Sequence, residues 1–214
     1  RKPQRRGPLP DVLQQALALR QRTVVNWRYL RAHATHCRKQ LPSVNPEPPS
    51  PATAAVTTSH SLLWNSEADT QAFAARLANA LQTVGGDALI ALHGDLGAGK
   101  TTLVRHLLHA LGVTGRVKSP TYAVVESYAL PAFAVWHLDF YRFNDPQEFE
   151  DAGLRDIFAS PGLKLVEWPD KAEGHLPRAD LQLHLSSTGD TCRTVELRSH
   201  SARGAQLWSV CVGP

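Results

Sequence analysis

Eight consecutive residues, Gly94-Asp95-Leu96-Gly97-Ala98-Gly99-Lys100-Thr101, satisfy the pattern G-x-x-x-x-G-K-[ST] in full. The pattern belongs to polyphosphate chemistry. Glycines let successive backbone N–H groups converge on a phosphate without Cβ clashes, and a helix that follows adds its positive N-terminal end. In such a loop Lys100 bridges the β- and γ-phosphates, the Thr101 hydroxyl ligates Mg²⁺, and the Thr102 hydroxyl meets the α-phosphate. Gly97 through Thr102 are therefore the expected cradle for ATP, with Mg²⁺ as its counter-ion.

Phosphoryl transfer also requires an acid to support a metal or to orient water. Asp139 follows the apolar run Ala134–Leu138, and Glu167 follows Leu163–Val166. In an open parallel sheet the carboxyl ends of strands face the ligand crevice, so both acids are expected there. Ser119-Pro120-Thr121 lies where related NTPases carry a segment that senses the γ-phosphate. Pro120 holds Ser119 extended, which would aim both hydroxyls at the nucleotide. His93, His137 and Trp168 flank these segments and are read as packing residues. Arg105, Arg116, Lys118 and Arg142 are candidate charge partners that no motif ranks.

These residues must be positioned by a sheet. Ala88–Leu92 is wholly apolar, as a strand buried on both faces requires, and a helix from about Thr101 to Leu111 follows the glycine loop, closed by Gly112. Ahead of the strand, Ser66-Glu67-Ala68-Asp69 resembles a capping box, with Phe73, Leu77 and Leu81 at helical spacing and Gly85-Gly86 as the stop. Tyr122–Tyr128, Ala134–Leu138 and Leu163–Val166 read as strands, and Asn144-Asp145-Pro146 as a helix start. Leu181–Leu185, Thr194–Arg198 and Leu207–Val212 read as an antiparallel meander. The expected fold class is α/β: a three-layer sandwich of the P-loop NTPase type, with a mostly parallel central sheet and an antiparallel C-terminal edge.

The 214 residues carry a net charge of +4 and are 43% hydrophobic. The charge is unevenly spread: residues 1–58 hold ten Lys/Arg against two acids, and residues 59–214 hold thirteen against seventeen. The basic pI thus belongs to the extension, and the globular part gives no reason to expect DNA binding. Residues 42–58 are Pro-rich linker in character. Residues 1–58 are expected to be a disordered, dispensable extension, with a basic arm that touches RNA as the alternative. No Met occurs in the chain, and a start near Val56 through a non-standard codon would leave a compact protein. Residues 59–214 are the expected ATPase domain. No apolar run is long enough for a membrane span, and the opening residues do not resemble a secretory signal. Cys37, Cys192 and Cys211 match neither a zinc spacing nor a disulfide framework, which suits a reducing cytoplasm.

Four blocks together resemble the bacterial TsaE (YjeE) family in order and spacing: His93–Thr102, Lys118–Tyr122, His137–Arg142 and Leu165–Pro169. The resemblance runs from about Ser61 to at least Leu185 and leaves the first 58 residues unmatched. It implies an ATPase subunit for threonylcarbamoyl (t6A) modification of the tRNA adenosine just 3′ of the anticodon. Such a subunit acts with TsaD and TsaB, is weak alone, resets their complex between turnovers, and meets tRNA through that complex. Carried over by position, Thr101 and Glu167 match the magnesium ligands, and Asp139 the Walker-B-like acid. Thr121 matches the switch threonine, while Glu67 and Thr70 fall near the adenine end.

Three other readings use the same loop. A small-molecule P-loop kinase would need an acceptor pocket and an arginine-bearing lid, for which only the segment Arg142–Arg155 offers room. A GTPase would commonly carry Asn-Lys-x-Asp, and no asparagine here precedes lysine. A non-enzymatic nucleotide sensor would bind without turnover.

Overall fold

A computed structural model describes residues 58–212 of the chain. Its centre is the apolar run expected to be a strand, β2 (Ala88–His93), preceded in sequence by β1 (Thr58–Trp64). β2 is buried at its first five positions and flanked on both sides by parallel strands. On one side lies β5 (Leu163–Glu167), itself parallel to β4 (Ala134–Asp139), and on the other β6 (Leu181–Ser187). Antiparallel strands close both edges. β3 (Val125–Ala129) pairs with β4; β7 (Arg193–Ser199) pairs with β6, and β1 pairs with β7. The seven strands run β1-β7-β6-β2-β5-β4-β3, the α/β class expected from the sequence.

Helices cover both faces. α1 (Glu67–Val84) starts where the Asp69 carboxylate accepts from the Asn65 and Ser66 amides, and it buries Phe73, Leu77 and Leu81 completely. It stops at Gly85, whose φ of 94° is open to glycine at little cost, and the Gly86 amide closes the end on the Leu81 carbonyl. α2 (Lys100–Ala110) packs beside it through Leu103, Val104, Leu107 and Leu108. The opposite face carries two short helices, α3 (Glu148–Asp151) and α4 (Arg155–Ala159). They close over an aromatic cluster of Phe140, Phe143 and Phe149 with Leu154 and Ile157. The segment 142–155 is thereby anchored in a core at Phe143, Phe149 and Leu154.

Two expectations are corrected. Leu207–Val212 is part of a helix, α5 (Ala202–Val212), which packs on the α1 face. The edge this segment would have joined is already occupied: β1 pairs along the whole of β7, from Thr58 opposite Ser199 to Trp64 opposite Arg193. With the β7 edge taken by β1, the segment instead buries Leu207 and Cys211, four apart on one helical face. The strand expected from Tyr122 begins only at Val125. Residues 121–124 form a turn ending at Val124, whose φ of 67° is a strained value for a β-branched residue. The Val124 amide donates to the Pro120 carbonyl and its own carbonyl accepts from the Asp139 amide, which holds the turn in place.

The reading of residues 1–58 lies outside the described residues, apart from Thr58, which opens β1. Among the described residues no helix is long and apolar enough to cross a membrane.

Candidate functional site

The glycine loop begins where β2 leaves the sheet. Gly94 has a φ of 129°, and a Cβ there would lie 2.2 Å from the Leu185 carbonyl oxygen of β6. Only glycine lets the loop pass so close to that strand. Gly97 and Gly99 also take positive φ, and Gly99 caps α2 from the left-handed region, leaving the first amides of the helix turned to the loop. The Lys100 side chain folds back under the loop. Its ammonium donates to the carbonyls of Gly94 and Asp95 and lies 3.9 Å from the centre of the Trp168 ring. Burial lowers the pKa of this ammonium below the ordinary lysine value, against the opposing pull of Glu167, Asp139 and Asp95.

The two acids expected at strand ends stand side by side. Asp139 and Glu167 are register partners on β4 and β5, only 3% and 2% exposed, so neither is an ordinary solvated loop residue. The Thr101 hydroxyl is 2.9 Å from each Glu167 carboxylate oxygen, and His137 Nε2 is 2.8 Å from Glu167 Oε1. At Asp139, Oδ1 accepts from the Tyr141 amide at 2.9 Å, and Oδ2 accepts from the Thr121 hydroxyl at 2.7 Å and from the Ser119 hydroxyl. Both hydroxyls of Ser119-Pro120-Thr121 are therefore turned onto Asp139, where the sequence reading aimed them at the nucleotide.

These groups share one cavity, lined by Gly97, Gly99 to Thr102, Ser119, Thr121, Asp139 and Glu167, with Leu96, Tyr141 and Trp168 at its rim. A second cavity, lined by Trp64, Glu67, Thr70, Ala98, Leu185, Asp190, Thr191 and Arg193, shares Gly99 and Thr102 with the first. The residues expected at the phosphate and adenine ends thus line two neighbouring hollows. Glu67 is engaged by His106, 2.8 Å away.

Arg193 escaped the sequence reading. It reaches from β7 to donate from Nε to the Ala98 carbonyl at 3.1 Å, while Nη1 donates to the carbonyls of Gly189 and Cys192. It ties the β6–β7 turn to the glycine loop, and no local pattern in the sequence announces such a contact. Arg105, Arg116 and Lys118 line neither cavity, and Arg142 stacks 4.0 Å over Tyr122. His93 turns aside to stack on His184 and to meet Asp170.

Chemically, converging amides and one ammonium suit a polyphosphate. Thr101 and Glu167 offer only oxygen donors, as a hard divalent cation such as Mg²⁺ prefers. Among the described residues no three His, Cys, Asp or Glu side chains converge to hold a metal by themselves. A cation here would keep most of its shell from water and phosphate oxygens, which is the usual condition of Mg²⁺.

The profile of the family described as "Threonylcarbamoyl adenosine biosynthesis protein TsaE" matches residues 64–195, a span that contains every residue lining either cavity. The chain belongs to the TsaE family. Among curated relatives, the TsaE protein of Haemophilus influenzae is 42% identical over 121 residues, covering 56% of this chain and 76% of that protein. The Bacillus subtilis TsaE protein is 39% identical over 107 residues, 50% of this chain and 66% of that one. The Rickettsia bellii TsaE protein is 32% identical over 132 residues, 61% and 89% respectively. The crystal structure of YdiB from Bacillus subtilis superposes with a TM-score of 0.60 at 26% identity, over 73% of this chain and 95% of that one. Within this TsaE-family fold, the N-terminal part of β1 and all of α5 lie beyond the matched span yet pack into the same sheet and core.

Proposed function

We propose that this chain acts in the cytoplasm, binding and hydrolysing ATP with Mg²⁺ in support of threonylcarbamoyladenosine formation at the tRNA adenosine 3′ of the anticodon, together with TsaB and TsaD. The pathway rests on membership of the TsaE family. The nucleotide chemistry rests on one observation above the rest: Lys100, Thr101, Asp139 and Glu167 line a single cavity under the glycine loop.

In this reading the amides of Gly97 to Thr102 hold the phosphate tail, with the Lys100 ammonium turning from its loop carbonyls to the β- and γ-phosphates. Glu67 and Thr70 border the hollow that would take the adenine end. Thr101 and Glu167 would hold Mg²⁺, which when bound neutralises phosphate charge and orients the γ-phosphoryl group. Asp139 is the acid that orients the attacking water. Ser119 and Thr121, bound to Asp139, couple the 119–124 turn to the same carboxylate. A partner that moved this turn would thereby act on the carboxylate assigned to the attacking water. The anchoring of segment 142–155 by Phe143, Phe149 and Leu154 favours this reading over a small-molecule kinase, which would need a mobile arginine lid there.

Reconstitution with TsaB, TsaD and tRNA tests the reading. Phosphate release without any small-molecule acceptor, and modified nucleoside that depends on this chain, are expected. Lys100→Ala is expected to abolish both. Wild-type modification by that variant would refute the proposal.

A further inference from the structure

We propose that His137 is a positioning residue for the cation site: it holds the Glu167 carboxylate through Nε2 so that Glu167 and Thr101 meet the cation together. The inference rests on the Mg²⁺-nucleotide reading above and extends it to a residue read from the sequence as packing. His137 lies on β4 two residues before Asp139, on the same face of the strand. Its ring is fully buried, and Nε2 is 2.8 Å from Glu167 Oε1.

The two ring nitrogens differ in their partners. Nδ1 is buried with no hydrogen-bond partner. A carboxylate only accepts, so the hydrogen bond to Glu167 requires a proton on Nε2. An apolar residue of similar size would fill the same space without burying an unpaired polar atom, which costs stability. What the imidazole adds is the N–H directed at Glu167. Thr101 has a single hydroxyl proton, now shared between both Glu167 oxygens. A ligand carboxylate steadied by that proton alone would be free to rotate, and a rigid second donor removes that freedom. Partners of this kind typically govern metal affinity about 10–100-fold.

Two measurements on the full chain test the assignment. Long-range ¹⁵N–¹H NMR of the histidine rings is expected to show His137 as the Nε2–H tautomer with a solvent-protected proton. This needs neither nucleotide nor metal, so it stands apart from the proposed function; an Nδ1–H tautomer would overturn the inference. The second is a Mg²⁺ titration of binding to a fluorescent ATP analogue, compared with binding in EDTA. His137→Leu is expected to raise the Mg²⁺ midpoint about 10-fold or more. His137→Gln, whose amide N–H reaches about as far as Nε2, should recover most of that loss. Affinity in EDTA should stay within about twofold for both variants. An unchanged midpoint in folded His137→Leu, no recovery in His137→Gln, or an equal loss in EDTA would each sink the idea. Wild-type binding that ignores Mg²⁺ would overturn both this inference and the cation part of the proposed function, whereas an Nδ1–H tautomer would leave the latter standing.

Discussion

The Thr101 hydroxyl lies 2.9 Å from both carboxylate oxygens of Glu167, joining the first turn of α2 to the end of β5. Two residues 66 apart in sequence thus behave as one unit. Thr101→Val keeps the branched shape and removes only the hydroxyl. It is expected to weaken Mg²⁺-dependent nucleotide binding by at least tenfold, about 1.4 kcal/mol. The lost hydrogen bond should cost only about 0.5–1.5 kcal/mol of stability. Isothermal calorimetry with and without Mg²⁺, beside urea unfolding, checks both; equal Mg²⁺ dependence in the variant would contradict the pairing.

Lys100 gives a prediction with two opposite signs. Its buried ammonium loses its proton below the ordinary lysine pKa of 10.5. Nucleotide affinity, which uses the charged form, should be level near neutrality and begin to fall before pH 10.5 is reached. Stability responds the other way. Just below 10.5 the unfolded chain holds the Lys100 proton more often than the folded one does, so this group's contribution to stability rises with pH across that window. Comparison with Lys100→Met, by calorimetry and by urea melts from about pH 8 upward, isolates the group. An affinity that declines only above 10.5 would count against the burial argument.

Gly94 and Gly112 separate conformational strain from crowding. Both have positive φ, but a Cβ on Gly112 meets nothing within 4 Å, whereas one on Gly94 runs into the β6 backbone. Gly112→Ala should cost about 1–2 kcal/mol, the left-handed penalty alone. Gly94→Ala should cost more, because strand and loop must separate, and should also weaken nucleotide binding. Denaturant unfolding of the two variants decides; similar losses would contradict the close approach.

Leu207 probes the helix that took the place of an expected strand. It is fully buried in the core shared with α1. Leu207→Ala is therefore expected to lose about 2–5 kcal/mol, as buried leucines do. A loss below about 1 kcal/mol in urea unfolding would mean that α5 is loosely held.

The strand, glycine loop and helix were legible because all the information is local: an apolar run, a spaced motif, then amphipathic periodicity. Asp139 and Glu167 were legible because parallel strands deliver their carboxyl ends to one crevice. Their exact pairing was not, since register is set by contacts between distant segments. His137 was read as packing for the same reason: nothing near it in sequence shows that β5 will place a carboxylate beside it. Arg193 depends on a contact 95 residues away. The fate of Leu207–Val212 turned on competition for an edge, and β1 won it from the other end of the chain. Val124 hid its turn because β-branched residues signal strands, and tertiary hydrogen bonds overrode that preference.

The polarity of β1 has a practical corollary. Running antiparallel to β7, which is antiparallel to β6, it points the same way as β2. Trp64 therefore borders the second cavity, while Thr58 sits at the opposite pole, roughly 20 Å away along a seven-residue strand. A fluorescent label placed at the Thr58 end of β1 would therefore report from the pole opposite the two cavities, without touching a residue that lines either of them.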